Sequence, residues 1–149
     1  AGRAGRKKKQ GRVVIQAYNI GHPVLKEVME NNFEAFIKRE IRERYDFLYP
    51  PYYRIIQIQL KHKKSDILAK AAQFFADRLR TKLGERVLGP AVPAVARVRT
   101  YYLMDIMIKL GLNSKGLVYT KNLIREIQDE LKSKKKIAYV RVLVNVDPY

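Results

Sequence analysis

From residue 54 onward the chain alternates, then cycles, then alternates again. Arg54 to His62 places Ile56, Ile58 and Leu60 on one side and Ile55, Gln57, Gln59 and Lys61 on the other. That period of two predicts a strand with one buried face. Ile67 or Leu68, Ala71, Ala72, Phe75, Leu79 and Leu83 then recur every three or four residues, a helical stripe that Ser65 is placed to cap. Val87-Leu88 predicts a short edge strand ended by Gly89-Pro90, with Pro93 keeping the chain extended beyond it, and Ala96 to Leu110 predicts a long strand. A helix over 117–133 would bury Leu123, Ile124, Ile127 and Leu131, and Ile137 to Val146 would form the last strand. This order, βαββαβ, predicts an α+β, ferredoxin-like sandwich: a four-stranded antiparallel sheet with two helices on one face.

The segment before it reads differently. Val13-Val14-Ile15-Gln16-Ala17-Tyr18 is apolar and β-branched and predicts a strand with open edges, which would pack on the following helix or pair with a second copy of the chain. Asn19 to His22 turn the chain, and Pro23 suits the first turn of a helix. Leu25, Val28, Met29, Phe33, Phe36, Ile37, Ile41, Tyr45 and Leu48 then form one apolar helical face, with a break expected near Asn31-Asn32. Tyr49-Pro50-Pro51-Tyr52 ends that helix, because Pro51 lacks an N–H and Pro50 restrains Tyr49. The pattern thus divides the chain into residues 1–18, a helical connector over 19–53, and a domain over 54–149.

Charge sharpens this division. The 149 residues carry a formal charge of +17. Residues 1–12 hold six bases and no acid, residues 13–53 five bases and six acids, and residues 54–149 twenty bases and eight acids. The basicity belongs to the N-terminal tail and to the last hundred residues, and an imbalance of this size points to a polyanionic partner, most often nucleic acid. With no cysteine there is neither a disulfide framework nor a thiolate metal site. No apolar run is long enough to span a bilayer, so no membrane partner and an intracellular, cytoplasmic setting are expected.

If the valine side of the last strand (Val140, Val142, Val144, Val146) faces the helices, the other sheet face collects the chemistry. The long strand would show Arg97, Arg99, Tyr101, Leu103, Asp105, Met107 and Lys109 there, the last strand Tyr139, Arg141, Leu143 and Asn145, and the first Gln57, Gln59 and Lys61. Cations for phosphates and rings for unpaired bases make a nucleic-acid platform. An ordinary solvated sheet face has the same composition, and a slip of one residue would exchange the faces. Arg97, Arg99, Tyr101, Lys109, Tyr139, Arg141 and Lys61 are the candidate nucleic-acid-binding residues. Catalytic constellations are lacking: His22 and His62 have no ligand-like spacing, and there is no cysteine nucleophile, G-x-S-x-G elbow or G-x-x-x-x-G-K-S/T loop. No metal site or cofactor is expected for this chain.

Several stretches resemble the family of replication-restart helicases called primosomal protein N-prime (PriA). They are Ala1-Gly2-Arg3-Ala4-Gly5-Arg6, Gly11-Arg12-Val13-Val14-Ile15-Gln16-Ala17-Tyr18-Asn19 with His22-Pro23, Phe33-Glu34-Ala35-Phe36, Glu40-Ile41 with Arg44, Tyr49-Pro50-Pro51, Leu88-Gly89-Pro90-Ala91, Ala96-Arg97-Val98-Arg99 with Tyr101, and Val146-Asp147-Pro148. The resemblance implies a C-terminal fragment of an ATP-dependent 3′-to-5′ DNA helicase that recognises stalled forks and restarts replication. Residues 1–18 would be the tail of the second motor lobe, 19–53 a connector, and 54–149 a domain that contacts branched or single-stranded DNA. Arg3 and Arg6 match the arginines of the sixth helicase motif, inactive without the rest of the motor. ATP, magnesium and zinc would be held upstream. Single-stranded-DNA-binding protein and other primosome proteins are the implied partners, with Lys115 and Lys121 as candidate partner-docking residues, although the run Lys132-Ser133-Lys134-Lys135-Lys136 departs from the family pattern. The alternative reading is a free-standing RNA-binding or ribosome-associated module, since the same platform serves RNA.

Overall fold

The computed structural model describes residues 13–148. The chain divides into two compact units, Ala1–Ile41 and Arg42–Tyr149. Residues 13–18 form no strand. A strand exists only through its ladder, and no described residue pairs with this segment; Val13, Val14 and Ile15 stay exposed. Helix α1 (Pro23–Met29) carries proline in its first turn, and His22 Nδ1 accepts from Val24 N at 3.3 Å. Helix α2 (Phe33–Asp46) follows a break at Asn31, which has φ 53°, and Asn32 Oδ1 accepts from Ala35 N. The expected break is therefore present, with asparagine supplying both the left-handed turn and the cap. Arg39 grips Glu27 with two donors, Nε to Oε1 at 3.0 Å and Nη2 to Oε2 at 2.9 Å. The apolar face is exposed at Val28, Met29, Phe33 and Ile41, and neither helix has a buried residue.

The second unit is the sandwich. Strand β1 (Tyr53–His62) lies in the middle, antiparallel to β4 (Tyr101–Gly111) and β5 (Arg141–Val146), and β2 (Val87–Ala91) lines the far edge of β4, giving the order β2-β4-β1-β5. A two-residue strand β3 (Arg97–Val98) continues that edge. Helices α3 (Ser65–Leu83) and α4 (Ser114–Ser133) cover one face. Ile56, Ile58, Leu60, Ile106 and Ile108 meet Leu68, Phe75, Leu79, Ile124 and Leu131 there, so the faces are as the alternation predicts.

Five local features differ from the pattern reading. Lys64, not Ser65, is the N-cap of α3, and it makes no side-chain cap bond. Strand β2 runs through Gly89-Pro90 to Ala91, with a register shift between Leu88 and Ala91. An edge tolerates the missing N–H of Pro90, and Gly89, at φ 92°, passes so close to β4 that a Cβ would lie 2.7 Å from the Asp105 carbonyl oxygen. The long strand expected over 96–110 is broken: Arg99 has φ 54°, and the chain doubles back so that Arg97 pairs with Tyr102 and Val98 with Tyr101. The last strand begins at Arg141, because residues 135–139 are spent in turns, with Ile137 N donating to Lys134 O at 2.9 Å. Helix α4 starts slightly earlier than the stripe suggests, where Asn113 Oδ1 accepts from Lys115 N at 2.9 Å.

Candidate nucleic-acid interface

The sheet face away from the helices is neither uniformly open nor uniformly basic. At one end it is covered. Ile55 lies on this face and is wholly buried. Beside it Lys109, its register partner, donates from Nζ to Phe47 O at 2.6 Å and sits 4.2 Å from the Tyr49 ring centre. The chain entering β1 thus occupies Lys109, one of the candidate DNA ligands. Asp147 closes the same end: its Oδ1 accepts from Ile55 N at 3.0 Å, its N donates to Ile55 O, and its Oδ2 holds Arg54 at 2.9 Å. At the centre, the Asp105 carboxylate accepts from Gln57 Nε2 at 2.8 Å and Gln59 Nε2 at 3.1 Å.

The other end is where cations gather, and the topology does the gathering. Strand β1 exits there into Lys61-His62-Lys63-Lys64, β3 and β4 meet there through Arg97 to Tyr101, and the connection from α4 returns there through residues 132–141. These three stretches hold ten Lys and Arg and no acid, half of the bases of residues 54–149. Lys132 pairs with Asp129 and Lys134 with Glu130. The other eight make no ion pair among the described residues.

Within this end the candidate residues separate. Lys61 and Arg141 are register partners on the outer face. Arg141 Cζ lies 5.4 Å and Lys63 Nζ 5.9 Å from the Tyr101 ring centre. Tyr139 is in the turn before β5, not on the strand, and is 85% exposed. Arg97 does not share the face of Tyr101: cross-strand partners share a face, so Arg97 lies with Tyr102 on the helix side, its guanidinium 5.0 Å from that ring centre. Arg99 occupies the turn, and its carbonyl oxygen accepts from Arg97 Nε at 3.1 Å. Lys63, Lys64, Lys135 and Lys136 belong to this end and were not singled out by strand alternation, because each lies just outside a strand; the signal was the clustering of bases at strand ends. Lys115, in the first turn of α4, borders a shallow groove with Val118, Tyr119 and Asn122 at the opposite end of the domain, and Lys121 is exposed nearly two turns further on. Arg3 and Arg6 lie outside the described residues.

Among the described residues no three His, Asp or Glu side chains are grouped as metal ligands would be. No described helix is long and apolar enough to cross a membrane.

Residues 45–149 match the family model described as "Primosomal protein N C-terminal domain". The chain is 33% identical over 151 residues to the "Replication restart protein PriA" of Treponema pallidum, covering 99% of this chain and 22% of that protein. It is 30% identical over 152 residues to that of Haemophilus influenzae, covering 99% and 20%. It is 27% identical over 151 residues to that of Bacillus subtilis, covering 100% and 18%. The chain thus spans about a fifth of the length of these curated relatives. A sandwich of the expected topology, matched by the family model from the end of α2 to the last residue, places the chain in the primosomal protein N C-terminal domain family.

Proposed function

We propose that this chain is a DNA-binding module of a replication-restart protein, and that it engages DNA through the basic end of its sheet. The observation that carries the reading is the convergence of three acid-free basic stretches, 61–64, 97–101 and 132–141, at one end of one domain. Eight cations without carboxylate partners among the described residues keep their charge for phosphates, and such a surface binds the backbone without reading sequence. Branched or single-stranded DNA is the proposed substrate, with single-stranded-DNA-binding protein and primosome proteins as partners in the longer protein. ATP-driven 3′-to-5′ unwinding would be work of that longer protein. This chain has no phosphate-cradling loop and is proposed to hydrolyse no ATP by itself, with Arg3 and Arg6 acting only beside a nucleotide held elsewhere. A cytoplasmic, nucleoid-associated location accompanies this reading.

The test is fluorescence anisotropy with labelled single-stranded, blunt duplex and forked DNA at two salt concentrations. Lys63→Glu with Lys136→Glu should weaken binding to all three by at least about tenfold and lower the salt slope. Lys82→Glu with Arg86→Glu, at the opposite end, should change it little. Equal losses from the two pairs would mean that net charge, not this end, carries the affinity.

A further inference from the structure

Tyr101 presents a choice that the fold resolves. A tyrosine on a basic sheet face reads first as a platform for a base. Here the ring already has company: Arg141 and Lys63 both approach it, at 5.4 and 5.9 Å from its centre. Several cations elsewhere in the domain are held by carboxylates, as in Arg54–Asp147 and Arg80–Asp77, or by a carboxylate and a ring together, as Arg78 is by Glu130 and Phe74. A carboxylate neutralises the cation it positions. An aromatic ring positions a cation while leaving its charge and most of its donors unspent. Lys61 sits directly opposite Arg141 across the ladder, and like charges in that relation repel. No carboxylate among the described residues relieves them. The group that this arrangement lacks is an anion.

We infer that Lys61, Lys63 and Arg141 form a clamp for a nucleic-acid phosphodiester, and that Tyr101 is its pedestal rather than a base-stacking platform. Tyr101 is then a positioning residue. The ring left for an unpaired base is Tyr139, exposed and without a ring or cation contact among the described residues. The inference rests on the DNA-binding reading above and deepens it by dividing labour within the same end. The clamp takes the backbone of any strand, and Tyr139 adds a preference for strands with free bases.

The experiment is a mutant cycle on the full chain, read by anisotropy with a labelled single-stranded oligonucleotide and its blunt duplex, circular dichroism confirming each fold. Tyr101→Phe keeps the ring and should bind both like the unaltered chain. Tyr101→Leu should weaken both equally, by roughly three- to tenfold. In a Lys63→Ala, Arg141→Ala background, Tyr101→Leu should cost nothing further. Tyr139→Leu should weaken the single strand alone. A Tyr101→Leu loss that persists in that background, or that falls only on the single strand, would overturn the pedestal and restore the stacking role. If the unaltered chain binds neither DNA, the DNA-binding reading fails, and the clamp with it; that outcome is distinct from a bound chain with the wrong mutant pattern.

Discussion

Asp105 decides how the middle of the outer face meets a polyanion. Its carboxylate is held in place by two amides that leave its charge intact, so a phosphate crossing the sheet from the proposed clamp would meet repulsion there. Asp105→Asn should keep one accepting oxygen for Gln57 or Gln59 and tighten DNA binding by about two- to fivefold in anisotropy, with most of the gain at low salt. Glu27 illustrates the opposite use of a carboxylate. The Arg39 hydrogen bonds hold its acid below the usual 4.5, against a smaller opposing effect of desolvation. A lowered value means that the Arg39 contact stabilises the helix pair fully above the ordinary glutamate range and loses that contribution as pH falls through the lowered value. Arg39→Gln should move the Glu27 titration, followed by carboxyl NMR shifts, back up towards the ordinary range and remove this acid dependence.

At the scale of elements, the edge strand β2 tolerates little change at one point. Gly89→Ala would set a Cβ against the Asp105 carbonyl oxygen and hold alanine at φ 92°, so a loss of about 2–4 kcal/mol is expected in urea denaturation. Leu88→Ala, at an exposed position beside it, should cost far less. The regular parts of this architecture were legible because burial writes a period into the sequence. Ile56, Ile58 and Leu60 against Gln57, Gln59 and Lys61 fixed the faces of β1, and the stripe from Leu68 to Leu79 fixed α3. The break in the long strand was not legible, since Val98-Arg99-Thr100-Tyr101 continues the alternation without a glycine or proline, and an arginine at φ 54° leaves no local mark. Arg97 was consequently placed on the wrong face. Tyr139 was placed on a strand because Ile137 and Val140 look like strand residues, whereas they close turns. Lys109 was read as free because nothing local tells that the chain near Phe47 folds back over it. The strand expected at 13–18 needed partners that the local pattern cannot supply.

The domain formed by residues 54–149 gathers half of its bases at one end, while Asp147 and the segment near Phe47 pin the other. Stretches 61–64, 97–101 and 132–141 are far apart in sequence and meet only in the folded domain. In the unfolded chain the same ten bases are dispersed over some eighty residues. Folding therefore works against their mutual repulsion, and the free domain stores that opposition as a loss of its own stability. Salt then acts in two directions on one feature. Raising it should lift the thermal midpoint of the free domain, by screening the crowded bases, while loosening its hold on DNA. At low salt, added DNA should raise the midpoint instead, because it would bind the folded form, where the bases converge, more tightly than the unfolded chain. A midpoint of the free domain that falls as salt rises would show that the basic end imposes no such cost. If it rises, this end is under tension until an anion arrives, and the nucleic acid completes the domain's electrostatics rather than merely occupying its surface.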